Sequence, residues 1–261
     1  MTAADTATVP NAAPTGPALE VDDLTGPARG AVIEHVSLVV SRGGTHVVLG
    51  PMHSGKSLLL RLVLGLERAR SGHVTIDGTT FDAARPNEPS LRQVRRRVGV
   101  VFDSSALVSR LTLIENVELP LVEHTSVNAT AARELATALL NDVGVTRGLD
   151  RTPDRISRLA RRRTALARAL VLEPALLLID EPGHGLDPHA ATELDDTLRG
   201  LHERYQCGML ICSQEVRYAF HWPQSVSVLA GGHIVEHGTL DELLNSRHEA
   251  VRRFVDRRGV A

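Results

Sequence analysis

Gly50-Pro51-Met52-His53-Ser54-Gly55-Lys56-Ser57 is the stretch on which the fold turns. Its spacing, G-x-x-x-x-G-K-S, is that of a loop that wraps its backbone around phosphate. Glycine is required where the backbone closes on an anion or takes a positive φ. The loop N–H groups converge on the anion, and the following helix adds the positive end of its dipole. Lysine brings a compact charge to the outer phosphates, where a planar guanidinium fits poorly. The serine hydroxyl can hold Mg2+. Composition isolates the motif: of 29 basic residues, all but Lys56 are arginine.

The flanks agree. Thr45-His46-Val47-Val48-Leu49 reads as a strand entering the loop, and the run from Ser57 to Leu64 reads as a helix leaving it. Gly50, Pro51, Met52, His53, Ser54, Gly55, Lys56 and Ser57 are therefore the expected nucleotide-binding residues. Further on, Ala175-Leu176-Leu177-Leu178-Ile179 ends in Asp180-Glu181-Pro182. An uninterrupted apolar run suits a parallel strand buried on both faces. Carboxylates at its C-terminal end stand where doubly wound sheets bind ligands. Asp180 is placed to reach Mg2+ through water, and Glu181 to polarise an attacking water.

The remaining composition narrows the classes. The chain has 261 residues and a net charge of −2, which gives bulk electrostatics no preference for nucleic acid. No apolar run approaches the roughly 18 residues that span a bilayer, and residues 1–18 lack a signal peptide's basic start and apolar stretch. Two cysteines, Cys207 and Cys212, make no disulfide framework and suit a cytosolic setting. Residues 1–18, rich in Ala, Thr and Pro, read as a disordered tail, and residues 19–261 as one domain. Within it, residues from about 19 to 102 should form an antiparallel patch beside the phosphate-binding core. Residues 104–170 should form a helical subdomain, with the run from Ala131 to Val143 presenting Leu135, Leu139 and Leu140 on one face.

The order of these elements resembles the nucleotide-binding subunit of an ABC transporter from about Leu19 to Val255. Gly185-Leu186-Asp187-Pro188 resembles that family's D-loop, and Gly232-His233-Ile234-Val235-Glu236-His237-Gly238-Thr239 its closing hairpin. Ala165-Leu166-Ala167-Arg168-Ala169-Leu170 with Glu173-Pro174 resembles the family's run before the Asp-Glu strand. The resemblance implies an α/β fold: a P-loop NTPase (RecA-like) core, an antiparallel β-subdomain and an inserted α-helical subdomain. It implies an ATP hydrolase using ATP and Mg2+, working as a homodimer or as a heterodimer with a paralogous ATPase. The partner would be a transmembrane permease, and the place the cytoplasmic, inner face of the cell membrane. More narrowly, the stretch from Leu111 to Leu121 and the C-terminal Leu243 to Phe254 resemble the ATPases of Mla/Mce-type lipid transport. Those ATPases also pair with an MCE-type lipid-binding protein.

Several positions depart from the family's pattern. Asp103 follows Val100-Val101-Phe102 where the family has the Q-loop glutamine. It could hold the metal through water but adds charge near the γ-phosphate. Ser157, Arg158 and Leu159 fall on the signature motif, with the serine kept and both glycines gone. Ser157 is also a helix N-cap residue. Arg158 either obstructs the approach to the opposite subunit's nucleotide or lends a cation as an arginine finger does. Gln214 stands at the switch-histidine position and can donate one hydrogen bond but cannot become a cation. The adenine-stacking aromatic is missing, since the first aromatic residue is Phe81.

Arg95-Arg96-Arg97 and Arg161-Arg162-Arg163 read as solvated faces, the second also able to sit near nucleotide across a dimer. Arg252, Arg253, Arg257 and Arg258 could meet an acidic partner or an anionic lipid surface. Two functions follow: a motor that couples ATP hydrolysis to movement of a lipid or other hydrophobic substrate, or a nucleotide-binding regulatory or assembly subunit with little turnover. A soluble, non-transport member of the superfamily would be expected to carry a second nucleotide domain or a large insertion, and neither is present.

Overall fold

A computed structural model describes residues 16–27, 33–221 and 225–256. In chain order the elements are β1 (Leu19–Gly26), β2 (Ile33–Val40), β3 (Thr45–Leu49), α1 (Lys56–Val63), β4 (Ser71–Ile76), β5 (Thr79–Asp82), α2 (Glu88–Arg95) and β6 (Val98–Val101). There follow α3 (Leu113–His124), α4 (Ala129–Asp142), α5 (Arg158–Leu170), β7 (Leu176–Asp180), α6 (Pro188–Tyr205) and β8 (Gly208–Ser213). The chain continues with α7 (Arg217–His221), β9 (Ser225–Ala230), β10 (His233–Gly238), α8 (Leu240–Leu244) and α9 (Glu249–Asp256).

Two sheets organise the chain. A six-stranded sheet runs β10-β9-β3-β8-β7-β6, parallel except for the antiparallel β9–β10 pair. A four-stranded antiparallel sheet runs β2-β1-β4-β5, the patch expected from the N-terminal third. Strands β3, β7 and β8 are buried at every position, as a continuous apolar run requires when both faces are covered. Alternate residues then serve two cores. Leu177, Ile179, Met209 and Ile211 face the layer that holds α3 to α6. Leu176, Leu178, Leu210 and Cys212 face α1, α2 and the four-stranded sheet.

Register sets the site. Leu49 pairs with Ser213, Asp180 with Cys212, and Val101 with Ile179. The loops after β3, β6, β7 and β8 therefore leave one edge of the sheet together, and each carries an expected site residue. Helices α3, α4 and α5 pack on one another, and α5 also packs on β6 and α6, joining the helical region to the main sheet. Asn116, fully buried on α3, donates to the carbonyls of Val108, Leu111 and Thr112 and so holds the segment that connects β6 to α3.

Residues 1–15 of the expected tail lie outside the described residues, as do Arg257 and Arg258. Of the tail's last three residues, Ala18 is buried and its N–H donates to the Val40 carbonyl. Among the described residues, no helix is long and apolar enough to cross a membrane.

Candidate functional site

The phosphate loop is shaped by two glycines with different duties. A Cβ on Gly50 would collide with the Leu229 carbonyl oxygen and the Ser54 hydroxyl, so closeness of backbone demands glycine there. At Gly55 φ is +109°, and a Cβ would also lie 2.6 Å from Ile33 Cγ2. His53 takes a left-handed φ of 63°, which curls the loop between them. Gly55 caps α1 with no side-chain cap, so the first-turn N–H groups keep their donor capacity. Lys56 is only 5% exposed, and its ammonium donates to the carbonyls of Gly50 (2.9 Å) and Pro51 (3.0 Å). The same ammonium stands 3.2 Å from Glu181 Oε1.

Strand β7 delivers both carboxylates. Asp180 is buried, bonds the Ser57 hydroxyl, and keeps Oδ1 without a protein partner among the described residues. Burial pushes its pKa up and the Glu181 charge adds to this, against the Ser57 bond and the Lys56 charge. Glu181 sits at a φ of +45°, uncommon for a residue with a side chain. Its Oε2 accepts from the Gln214 N–H (3.0 Å) and the Ser213 hydroxyl (3.3 Å). The turn that follows closes through the His184 N–H donating to the Glu181 carbonyl at 3.1 Å.

These loops enclose a cavity of about 390 Å³. It is lined by Met52, His53, Ser54, Gly55, Lys56 and Ser57 from the phosphate loop, by Asp103, Glu181 and Gln214, and by His184. Phe81 is buried on β5 and does not line it. Ser157 and Arg158 stand elsewhere. Ser157 caps α5, its hydroxyl accepting from the Ala160 N–H at 3.1 Å. Arg158 donates to the Gly185 carbonyl and lines a neighbouring hollow of about 350 Å³ with Arg161 and Arg162.

Asp103 is held by two partners. Its Oδ1 accepts from Arg162 Nη2 at 2.7 Å and pairs with His184 Nδ1 at 2.9 Å. Burial pushes its pKa up, but the hydrogen bonds and charges of His184 and Arg162 outweigh burial and hold the carboxyl below its ordinary value.

The reading of the arginine runs as solvated faces holds for Arg95, Arg96 and Arg97, which are exposed, and is overturned at Arg162, which is buried, and in part at Arg163, which is half-buried. Arg162 is 3% exposed and also donates to the Phe102 carbonyl at 2.8 Å. Arg163 donates to Thr197 Oγ1, Arg97 to Asp77, and Arg95 to the carbonyls of Leu64 and Gly65 at the end of α1. Carbonyls at helix ends and loop turns need donors, and in this chain arginine supplies them. His184 is the residue that sequence reasoning passed over, and Arg162 was read only as one of a run of three. The one visible signal for Arg162 was its i, i+4 spacing from Arg158, which places both on one face of α5.

Residues 33–184 match the ABC transporter family. A probable ribonucleotide transport ATP-binding protein, mkl, of Mycobacterium leprae is 34% identical over 250 residues, covering 95% of this chain and 71% of that protein. A methionine import ATP-binding protein, MetN, of Rhizobium meliloti is 37% identical over 221 residues, covering 84% of this chain and 61% of that protein. Among solved structures, the dimeric post-hydrolysis state of the ATP-binding cassette MJ0796 bound to ADP and Pi is similar with a TM-score of 0.75 at 25% identity. That match covers 85% of this chain and 98% of the other.

Proposed function

The chain belongs to the ABC transporter family as an ATP-binding subunit, and from that premise we propose that it binds Mg-ATP in the Gly50–Ser57 loop and hydrolyses it with Glu181 to drive a partner permease. The observation that carries the proposal is the contact of Lys56 with Glu181, 3.2 Å apart in a cavity also lined by Ser57, with the Asp180 carboxylate bonded to the Ser57 hydroxyl beneath.

The steps follow from the groups present. The loop and α1 N–H groups receive the phosphates. Lys56 moves to the outer phosphates, which releases Glu181 Oε1 to accept a proton from water. The unpartnered, buried Asp180 Oδ1 beside the Ser57 hydroxyl is a hard oxygen pair of the kind Mg2+ takes. Ser57 and Asp180 would hold that ion, which would offset phosphate charge. Asp103, committed on Oδ1 to Arg162 and His184, is assigned instead to holding the rim of the site. Gln214 fixes Glu181 through its backbone N–H.

Two copies would close on ATP, as a homodimer or with a paralogous ATPase, against a permease at the inner face of the cell membrane. The cargo reading of lipid or another hydrophobic substrate, with an MCE-type partner, rests on the stretches Leu111 to Leu121 and Leu243 to Phe254. Curated relatives at 34–37% identity carry the names of ribonucleotide and methionine transporters, so the cassette itself does not select the cargo.

One observation favours a second reading, a regulatory subunit that binds without useful turnover. Arg158 fills a signature glycine position and turns back onto the Gly185 carbonyl of its own chain. The test is Mg-ATP turnover by the purified chain, with Glu181→Gln as control. Turnover that the control abolishes supports the motor. Binding with no turnover in either protein supports the regulatory reading and overturns the first.

A further inference from the structure

We propose that His184 is a water-positioning residue of this site, holding the attacking water against Glu181 through Nε2 while Asp103 fixes the ring through Nδ1. The proposal rests on the hydrolytic reading above. Four observations meet at this residue. First, the turn closed by the His184 N–H on the Glu181 carbonyl folds position 184 back beside the base. Second, His184 lines the same cavity as Lys56, Glu181 and Gln214, with its side chain 49% exposed toward solvent. Third, Nδ1 is occupied by Asp103 at 2.9 Å, and Nε2 has no hydrogen-bond partner among the described residues. Fourth, Asp103 is itself fixed by Arg162, whose buried guanidinium also bonds the Phe102 carbonyl and reaches the His184 carbonyl at 3.4 Å.

The chemistry follows from that order of contacts. A carboxylate oxygen only accepts, so the proton shared with Asp103 sits on His184 Nδ1. A carboxylate that fixes one ring nitrogen sets the tautomer and the orientation of the other. Nε2 then offers a lone pair at the cavity and accepts a hydrogen bond from water. The water oxygen bonds to the γ-phosphorus as the bridging P–O bond to ADP breaks. One water proton passes to Glu181, the other stays on the released phosphate, and the imidazole keeps its own proton throughout. Gln214 cannot present an imidazole to this cavity, and His184 is the described histidine besides His53 that lines it.

The experiment uses the full chain. His184→Ala should lower kcat for Mg-ATP by about 10²-fold with KM within about threefold, as expected for a group that acts in the transition state and not in binding. Adding Gln214→His to the His184→Ala chain should recover part of that loss by returning an imidazole to the cavity. Long-range 1H–15N spectra give a readout apart from turnover. They should show His184 protonated on Nδ1 in the free protein, with its Nε2 signal moving on addition of Mg-ADP and vanadate. Wild-type kcat in His184→Ala, or a ring signal unmoved by Mg-ADP and vanadate, would overturn the proposal. Turnover lost in Glu181→Gln but indifferent to His184 would overturn this inference alone. Turnover indifferent to both would overturn the hydrolytic reading as well.

Discussion

One wall of the cavity, Gly50 to Ser57, is made of backbone, while Asp103 and His184, which also line it, belong to a second wall that continues through residues 102–106 and Gly185 beside the cavity and is hung from side chains. On the first wall, shape comes from the crowding at Gly50 and the positive φ values at His53 and Gly55, and the single charge is Lys56. On the second, three arginines of α5 supply the structure. Arg162 holds Phe102 and Asp103, Arg168 donates to the carbonyls of Ala106 (2.7 Å) and Ser105 (3.2 Å), and Arg158 reaches Gly185. The first wall is anchored in the central strands. The second is anchored to α5, which also packs on α3 and α4. A shift of α5 would therefore pull on Phe102 and Asp103 through Arg162, while Lys56 stays with the central strands and the His184 N–H stays on the Glu181 carbonyl. Phosphate binding and the placement of Asp103 thus rest on different parts of the fold.

Substitutions can break this division. Lys56→Ala should have the largest effect, abolishing Mg-ATP binding or weakening it by about 10²-fold or more, because a charge-assisted contact to phosphate is lost from a buried site. An equilibrium titration reads this directly, and unchanged affinity would refute the role given to the backbone wall. Arg162→Ala attacks the other wall. It strips donors from Phe102 and Asp103 and should cost about 1–3 kcal/mol of stability in urea unfolding, the range for leaving a carbonyl without its donor, since Asp103 is half-exposed and keeps His184. The exposed Arg96→Ala should stay within about 0.5 kcal/mol. Equal effects from the two arginines would mean that burial of Arg162 carries no structural weight.

Acid should separate the two walls by pH. His46 lies on β3, the strand that feeds the phosphate loop, and is fully buried. Burial pushes its pKa down to about 4 and the charge of stacked His237 adds to this, against a hydrogen bond to the Val39 carbonyl. Below about pH 6.5 the unfolded chain takes a proton there that the folded chain refuses. Stability present above that value is lost as pH falls toward about 4, by up to about 3 kcal/mol. The Asp103 carboxyl is held below its ordinary value, so its contribution is lost only at lower pH still. Urea unfolding at several pH values should show the His46 loss first, and His46→Gln should flatten that part of the curve. A curve of unchanged slope in His46→Gln would assign the loss elsewhere.

The same division explains what could be read in the sequence. The backbone wall was legible because φ and close approach force glycine at fixed intervals, and because a parallel strand buried on both faces cannot hide its apolar run. The Asp180-Glu181 strand end was legible for the second reason. The side-chain wall was not. Asp103 meets Arg162 and His184 across 59 and 81 residues of chain, and no local pattern records such a meeting. In a chain whose basic residues are almost all arginine, Arg162 looks like its neighbours Arg161 and Arg163, and only burial distinguishes it. Ser157 was legible as a helix cap because the capping role is local.

The most direct test of the central claim compares Mg-ATP affinity in the wild-type chain and in Glu181→Gln. The Lys56–Glu181 contact means that phosphate must take Lys56 from a carboxylate, so removing that charge should tighten Mg-ATP binding while turnover stops. Weaker binding in Glu181→Gln, or turnover that continues in it, would contradict the assignment of this cavity as the ATP site with Glu181 as its base.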